Sequence, residues 1–126
     1  MSDPNHPDWL LPGPFPAEFP TEERCFITEE MNDPACPEAS LARARVPPGV
    51  TTRLHRLRDT VECYLIRSGT GIAEIGGALH PVATGDRVVI PADVPQRITN
   101  TGAADLVFHC LCAPRFRPEN YVDLGD

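Results

Sequence analysis

Apolar and polar residues alternate along most of this chain in short runs, the two-residue period of strands. Ser40–Val46 sets Leu41, Arg43 and Arg45 against Ala42, Ala44 and Val46, and Pro47-Pro48-Gly49 closes it with a turn. The same pattern predicts strands at Glu22–Thr28, Thr51–Leu57, Val61–Arg67, Ile72–Ile75, Ala78–Val82, Arg87–Ile90, Gln96–Asn100 and Leu106–Cys112. Gly76-Gly77 suits a two-residue hairpin, because both residues tolerate positive φ. Ser68-Gly69-Thr70-Gly71, Thr84-Gly85-Asp86 and Thr101-Gly102 are further turns, and Met31–Glu38 is a loop. Apolar residues never recur at helical spacing over a helix-length stretch. Short strands with turn signals every roughly eight to twelve residues predict an all-β sandwich or barrel.

The two ends differ from this body. Residues 1–20 carry six prolines, which fix φ and lack a donor N–H, so neither a helix nor an inner strand is expected there. We read residues 1–21 as an extended Pro-rich arm and residues 22–126 as the barrel domain. Trp9, Leu10, Leu11, Phe15 and Phe19 give the arm apolar surface to bury, which favours packing against a partner. The tail from Pro114 reads as polar and irregular, with Phe116 and Tyr121 as anchors.

The chain has 126 residues, enough for one domain with a modest core. Its formal charge is −7, and there is no lysine. Residues 1–38 hold nine acids and one Arg, against nine acids and ten Arg in the rest. Arginines scattered without a basic face exclude nucleic acid and an anionic membrane as partners. No apolar run approaches the ~20 residues of a membrane helix, and no basic start precedes an apolar block, so a cytoplasmic location is expected. The five cysteines form no CxxC, which predicts neither a disulfide framework nor a zinc knuckle. Cys110 and Cys112 share a strand face and read as small apolar residues.

Alternation puts Arg53, His55 and Leu57 on one face, Glu62, Tyr64 and Ile66 on another, and Gln96, Ile98 and Asn100 on a third. The positions of these groups resemble the paired motifs of the cupin superfamily. The first motif runs Gly, five residues, His-x-His, three or four residues, Glu, six residues, Gly. Gly49, His55, Glu62 and Gly69 fall in register, with Leu57 in place of the second His. The second runs Gly, five residues, Pro-x-Gly, two residues, His, three residues, Asn. Here Gly85, Pro91 and Asn100 are in register, Asp93 replaces the Gly and Gln96 replaces the His. The resemblance covers about residues 40–122.

The resemblance implies a jelly-roll β-barrel, often dimeric, with those three faces turned into an internal pocket for a small molecule. It also implies a divalent metal such as Zn, Mn, Fe or Ni, with His55, Glu62 and Gln96 as its ligands. Such a centre would make a Lewis-acid enzyme for a small oxygenated substrate, acting as an isomerase, cyclase, lyase or dioxygenase. Arg53 would then hold a substrate carboxylate, Leu57, Ile66 and Ile98 would line the pocket, and Tyr64 or His109 would move a proton. Two other readings stay open: a binding protein that has lost its metal, and a metal-free enzyme using Glu62 as a base with a pKa raised by burial.

Overall fold

A computed structural model describes residues 5–126. Eleven strands follow one another: β1 Phe19–Pro20, β2 Phe26–Met31, β3 Ser40–Val46, β4 Leu54–Leu57, β5 Val61–Ser68, β6 Thr70–Ile75, β7 Ala78–Ala83, β8 Arg87–Ile90, β9 Gln96–Asn100, β10 Leu106–Ala113 and β11 Tyr121–Gly125. They form a six-stranded sheet ordered β1-β2-β3-β10-β5-β8 and a five-stranded sheet ordered β11-β4-β9-β6-β7. All the pairings are antiparallel, and the two sheets make a jelly roll, as expected.

The alternation seen in sequence is the alternation of burial. In β5, Glu62, Tyr64 and Ile66 are buried while their neighbours are not. In β9, Gln96, Ile98 and Asn100 are buried. The core between the sheets joins Val46, Ile66, Ala73, Ile90, Ile98, Leu106 and Phe108. Leu106 has no exposed surface, so Leu106→Ala is expected to lower stability by about 3 kcal/mol, as a shifted urea midpoint will report.

Two glycine positions set the path of the chain. Gly69, at φ 97°, is the single residue between β5 in one sheet and β6 in the other, and a Cβ there would meet the Asp105 carbonyl oxygen at 3.0 Å. Gly76 and Gly77, at φ 58° and 86°, turn the β6–β7 hairpin as expected. Buried Asn100 staples the end of β3 to the β9–β10 connection. Its amide donates to the carbonyls of Val46 at 2.9 Å and Ala104 at 2.8 Å, and its oxygen accepts from the Gly102 N–H at 2.8 Å.

The ends of the chain depart from the sequence reading. The tail is ordered: a 3₁₀ turn at Pro118–Asn120 leads into β11, which pairs with β4 through Tyr121↔Leu57 and Val122↔Arg56. Polar residues conceal this strand, because only one of its faces meets the barrel. The second strand begins at Phe26 rather than Glu22, because Arg24 takes a left-handed φ of 71° that interrupts the extended run. At the N-terminal end Phe19–Pro20 adds an edge strand to β2, where the missing proline N–H costs no inner ladder bond. Glu18 holds this strand to β3 through Arg45 at 2.8 Å, while Trp9 and Phe15 stand largely exposed.

Candidate functional site

A cavity of about 340 Å³ opens between the sheets, beside the strands contributed by the two ends of the chain. That volume suits a small organic molecule. β4 supplies His55 and Leu57, β5 Glu62 and Tyr64, β9 Ile98, and β10 Phe108, Cys110 and Cys112. Glu23, Cys25, Ile27 and Glu29 close one side, and Phe19, Phe116, Pro118 and Tyr121 lie towards solvent.

Among the described residues, Glu62 is the acidic group in the driest position, 7% exposed. Its register partner across β10 is Cys112, whose thiol donates to Glu62 Oε2 at 3.5 Å. Oε1 is buried and has no hydrogen-bond partner among the described residues. Desolvation is the largest influence on this carboxyl and lifts its pKa from 4.5 to about 7. The charge of Glu23 adds to the rise, while His55, Cys112 and Gln96 oppose it.

His55 is buried, and its ring stacks on Tyr121 at 4.9 Å between centroids. Nδ1 lies 2.9 Å from the Arg53 carbonyl. A carbonyl only accepts, so Nδ1 carries the hydrogen and Nε2 is left as a bare acceptor in the neutral ring. The same Nδ1 is 3.5 Å from Glu23 Oε2. Burial raises the Glu23 pKa, and the nearby His55 opposes that rise. Glu23 was not singled out in sequence, since it lies just ahead of the left-handed Arg24, and Tyr121 was read only as an anchor of a tail without a strong apolar stripe.

Tyr64 donates its hydroxyl hydrogen to Gln96 Oε1 in a buried pair, and its ring packs on Phe108 at 4.6 Å. Burial raises its pKa well above the ordinary value, so the phenol holds its proton tightly. Burial likewise pushes the Cys25 thiol up to about 12, and Cys110 and Cys112 are raised too, so these cysteines stay protonated.

The structure brings His55, Leu57, Glu62, Tyr64 and Ile98 together on the cavity wall and departs from the expected set elsewhere. Arg53 precedes β4, outside the alternating run, and does not line the cavity. Its guanidinium pairs with Asp123 of β11 at 3.1 Å, near the surface. The guanidinium expected to hold a substrate carboxylate thus meets Asp123 of the protein itself. His109 alternates with the inward Phe108 and Cys110, faces away, and meets Glu30 at 2.9 Å. Ile66 is packed into the core beyond the cavity wall. Gln96 sits behind Tyr64 rather than on the wall, as His55's register partner across β4–β9.

The chain belongs to the cupin family: residues 42–112 match the family model described as the cupin domain. It is 35% identical over 81 residues to an uncharacterized protein of Methanocaldococcus jannaschii, covering 64% of this chain and 65% of that one. It is 34% identical over 67 residues to an oxalate-binding protein of Thermotoga maritima, covering 53% of this chain and 55% of that one. The chain thus spans less than two thirds of each of these relatives. The nucleoside dehydratase Pac13, a Streptomyces protein, shares the fold with a TM-score of 0.76 at 14% identity, over 91% of this chain and 92% of that one.

The metal centre that the resemblance implies does not fit the donors in place. Gln96 offers one ligating oxygen, and the Tyr64 hydroxyl already bonds to it. Leu57 has no donor atom. No group of three His, Cys, Asp or Glu side chains among the described residues is arranged to hold an ion. His55 and Glu62 remain, one nitrogen and one carboxylate, short of the three protein ligands of ordinary catalytic zinc sites.

Proposed function

We propose that this cavity binds a small oxygenated molecule and that Glu62 moves a proton on it, with His55 as the second proton-handling group. The observation that carries this reading is Glu62 Oε1, buried at the cavity wall without a partner among the described residues. Leaving such an atom unbonded costs about 1–3 kcal/mol, a cost that a ligand hydroxyl removes. A carboxyl poised at about 7 gives up and takes back a proton with similar ease. His55 Nε2, bare in the neutral ring, is positioned to accept a proton while Nδ1 stays fixed on the Arg53 carbonyl. Isomerisation, hydration and loss of water all run on such transfers, and a nucleoside dehydratase shares this fold.

The test is a pH titration of protein labelled with ¹³C at the glutamate carboxyls, followed by NMR. One resonance is expected to titrate with a midpoint near 7, to vanish in Glu62→Gln, and to ignore EDTA. Stoichiometric metal uptake, with that resonance fixed in its ionised position throughout, would overturn the reading in favour of a Lewis-acid centre on His55 and Glu62.

A further inference from the structure

The cavity wall carries acids and, among the described residues, no permanent cation. Glu23, Glu29 and Glu62 line it, and among the described residues no Arg or Lys does. The nearby arginine expected to face it, Arg53, pairs with Asp123. A small dicarboxylate would therefore meet carboxyl groups with no guanidinium to answer it. Glu62 adds to this: it lines the cavity, is more than nine-tenths buried, and its Oε1 has no hydrogen-bond partner among the described residues. The other feature of the wall is aromatic, with Phe19, Phe116 and Tyr121 on the side nearer solvent and Phe108 within. Ring faces and carboxylates both attract a cation, the former by their quadrupole and the latter by charge.

We propose that the ligand of this cavity is an organic ammonium compound, its N–H groups donating to Glu62 Oε1 and its apolar part held among the aromatic rings. The inference deepens the acid–base reading and rests on the same cavity, by giving the oxygenated substrate a positively charged amine. It separates this chain from what the name of its oxalate-binding relative would suggest.

The test uses four probes by calorimetry on the intact chain at neutral pH: benzylamine, benzyl alcohol, benzoate and oxalate. The first three share a ring and differ in charge. Benzylamine is expected to bind at least about tenfold more tightly than benzyl alcohol, ~1.4 kcal/mol, and the two anions to bind least. Glu62→Gln is expected to lose that tenfold preference while still binding the alcohol, which also shows that the variant is folded. Benzoate or oxalate binding as tightly as the amine, no binding of the amine, or an unchanged preference in Glu62→Gln would each overturn the proposal. None of these outcomes alters the midpoint of the Glu62 carboxyl titration, so the acid–base reading stands or falls by its own measurement.

Discussion

As the pH rises from about 5 to about 8, the wild-type chain is expected to lose about 3 kcal/mol of stability that the Glu62→Gln variant keeps. The sign follows from the direction of the shift. The folded state holds the Glu62 proton with a pKa of about 7, against an ordinary 4.5. Below 4.5 the carboxyl is protonated whether folded or not, and it costs nothing. Between 4.5 and 7 the unfolded chain releases a proton that the folded chain retains, and stability falls by about 1.4 kcal/mol per pH unit. Above 7 both states are ionised and the loss levels off. Glutamine has the shape of the carboxyl without its charge, so the variant should be the more stable protein at alkaline pH and nearly equal to wild type under acid conditions. Urea unfolding of both proteins across this range measures the difference directly, because the other ionising groups are common to both. Parallel curves would mean that Glu62 is hydrated and that the dry cavity wall described here is wrong.

Asn100→Leu should be more damaging still, at about 3–5 kcal/mol. Leucine has a similar volume but strands the carbonyls of Val46 and Ala104 and the N–H of Gly102, three backbone groups that one amide now satisfies. Each buried group left unbonded costs about 1–3 kcal/mol, with some recovered where water reaches the loop. A lower urea midpoint with faster amide exchange at Gly102 and at position 100 itself would be the signature, since the N–H of residue 100 donates to the Val50 carbonyl at 2.9 Å. A loss below about 1 kcal/mol would mean that the staple is replaceable by solvent.

The barrel was legible from residue order alone because its information is local. Alternation fixes which side chain faces inward, and Gly69, Gly76 and Gly77 mark where the chain must turn. His55 and Glu62 were legible for the same reason: each sits within a well-formed strand at a recognisable spacing. Arg53 was misread because the strand starts one residue later, at Leu54, so the alternation that turns His55 inward does not govern it. Which carboxylate an arginine chooses is a long-range matter, and Asp123 lies 70 residues away. His109 was open in sequence because a histidine in a strand can face either way, and here Glu30 marks the outer side. Glu23 was invisible, and Tyr121 legible only as a tail anchor, because both reach the cavity from outside the central strands, where turns and tertiary docking decide position and periodicity is silent.

The walls of this container do not share one origin. The family match spans residues 42–112, yet Phe19, Glu23, Cys25, Phe116 and Tyr121 come from outside it. Two proteins could agree at every position of the matching segment and still present different gates to the same vessel. Ligand preference in such molecules should track the flanking sequence, and swapping residues 19–32 and 116–121 between relatives is the natural way to exchange what they admit.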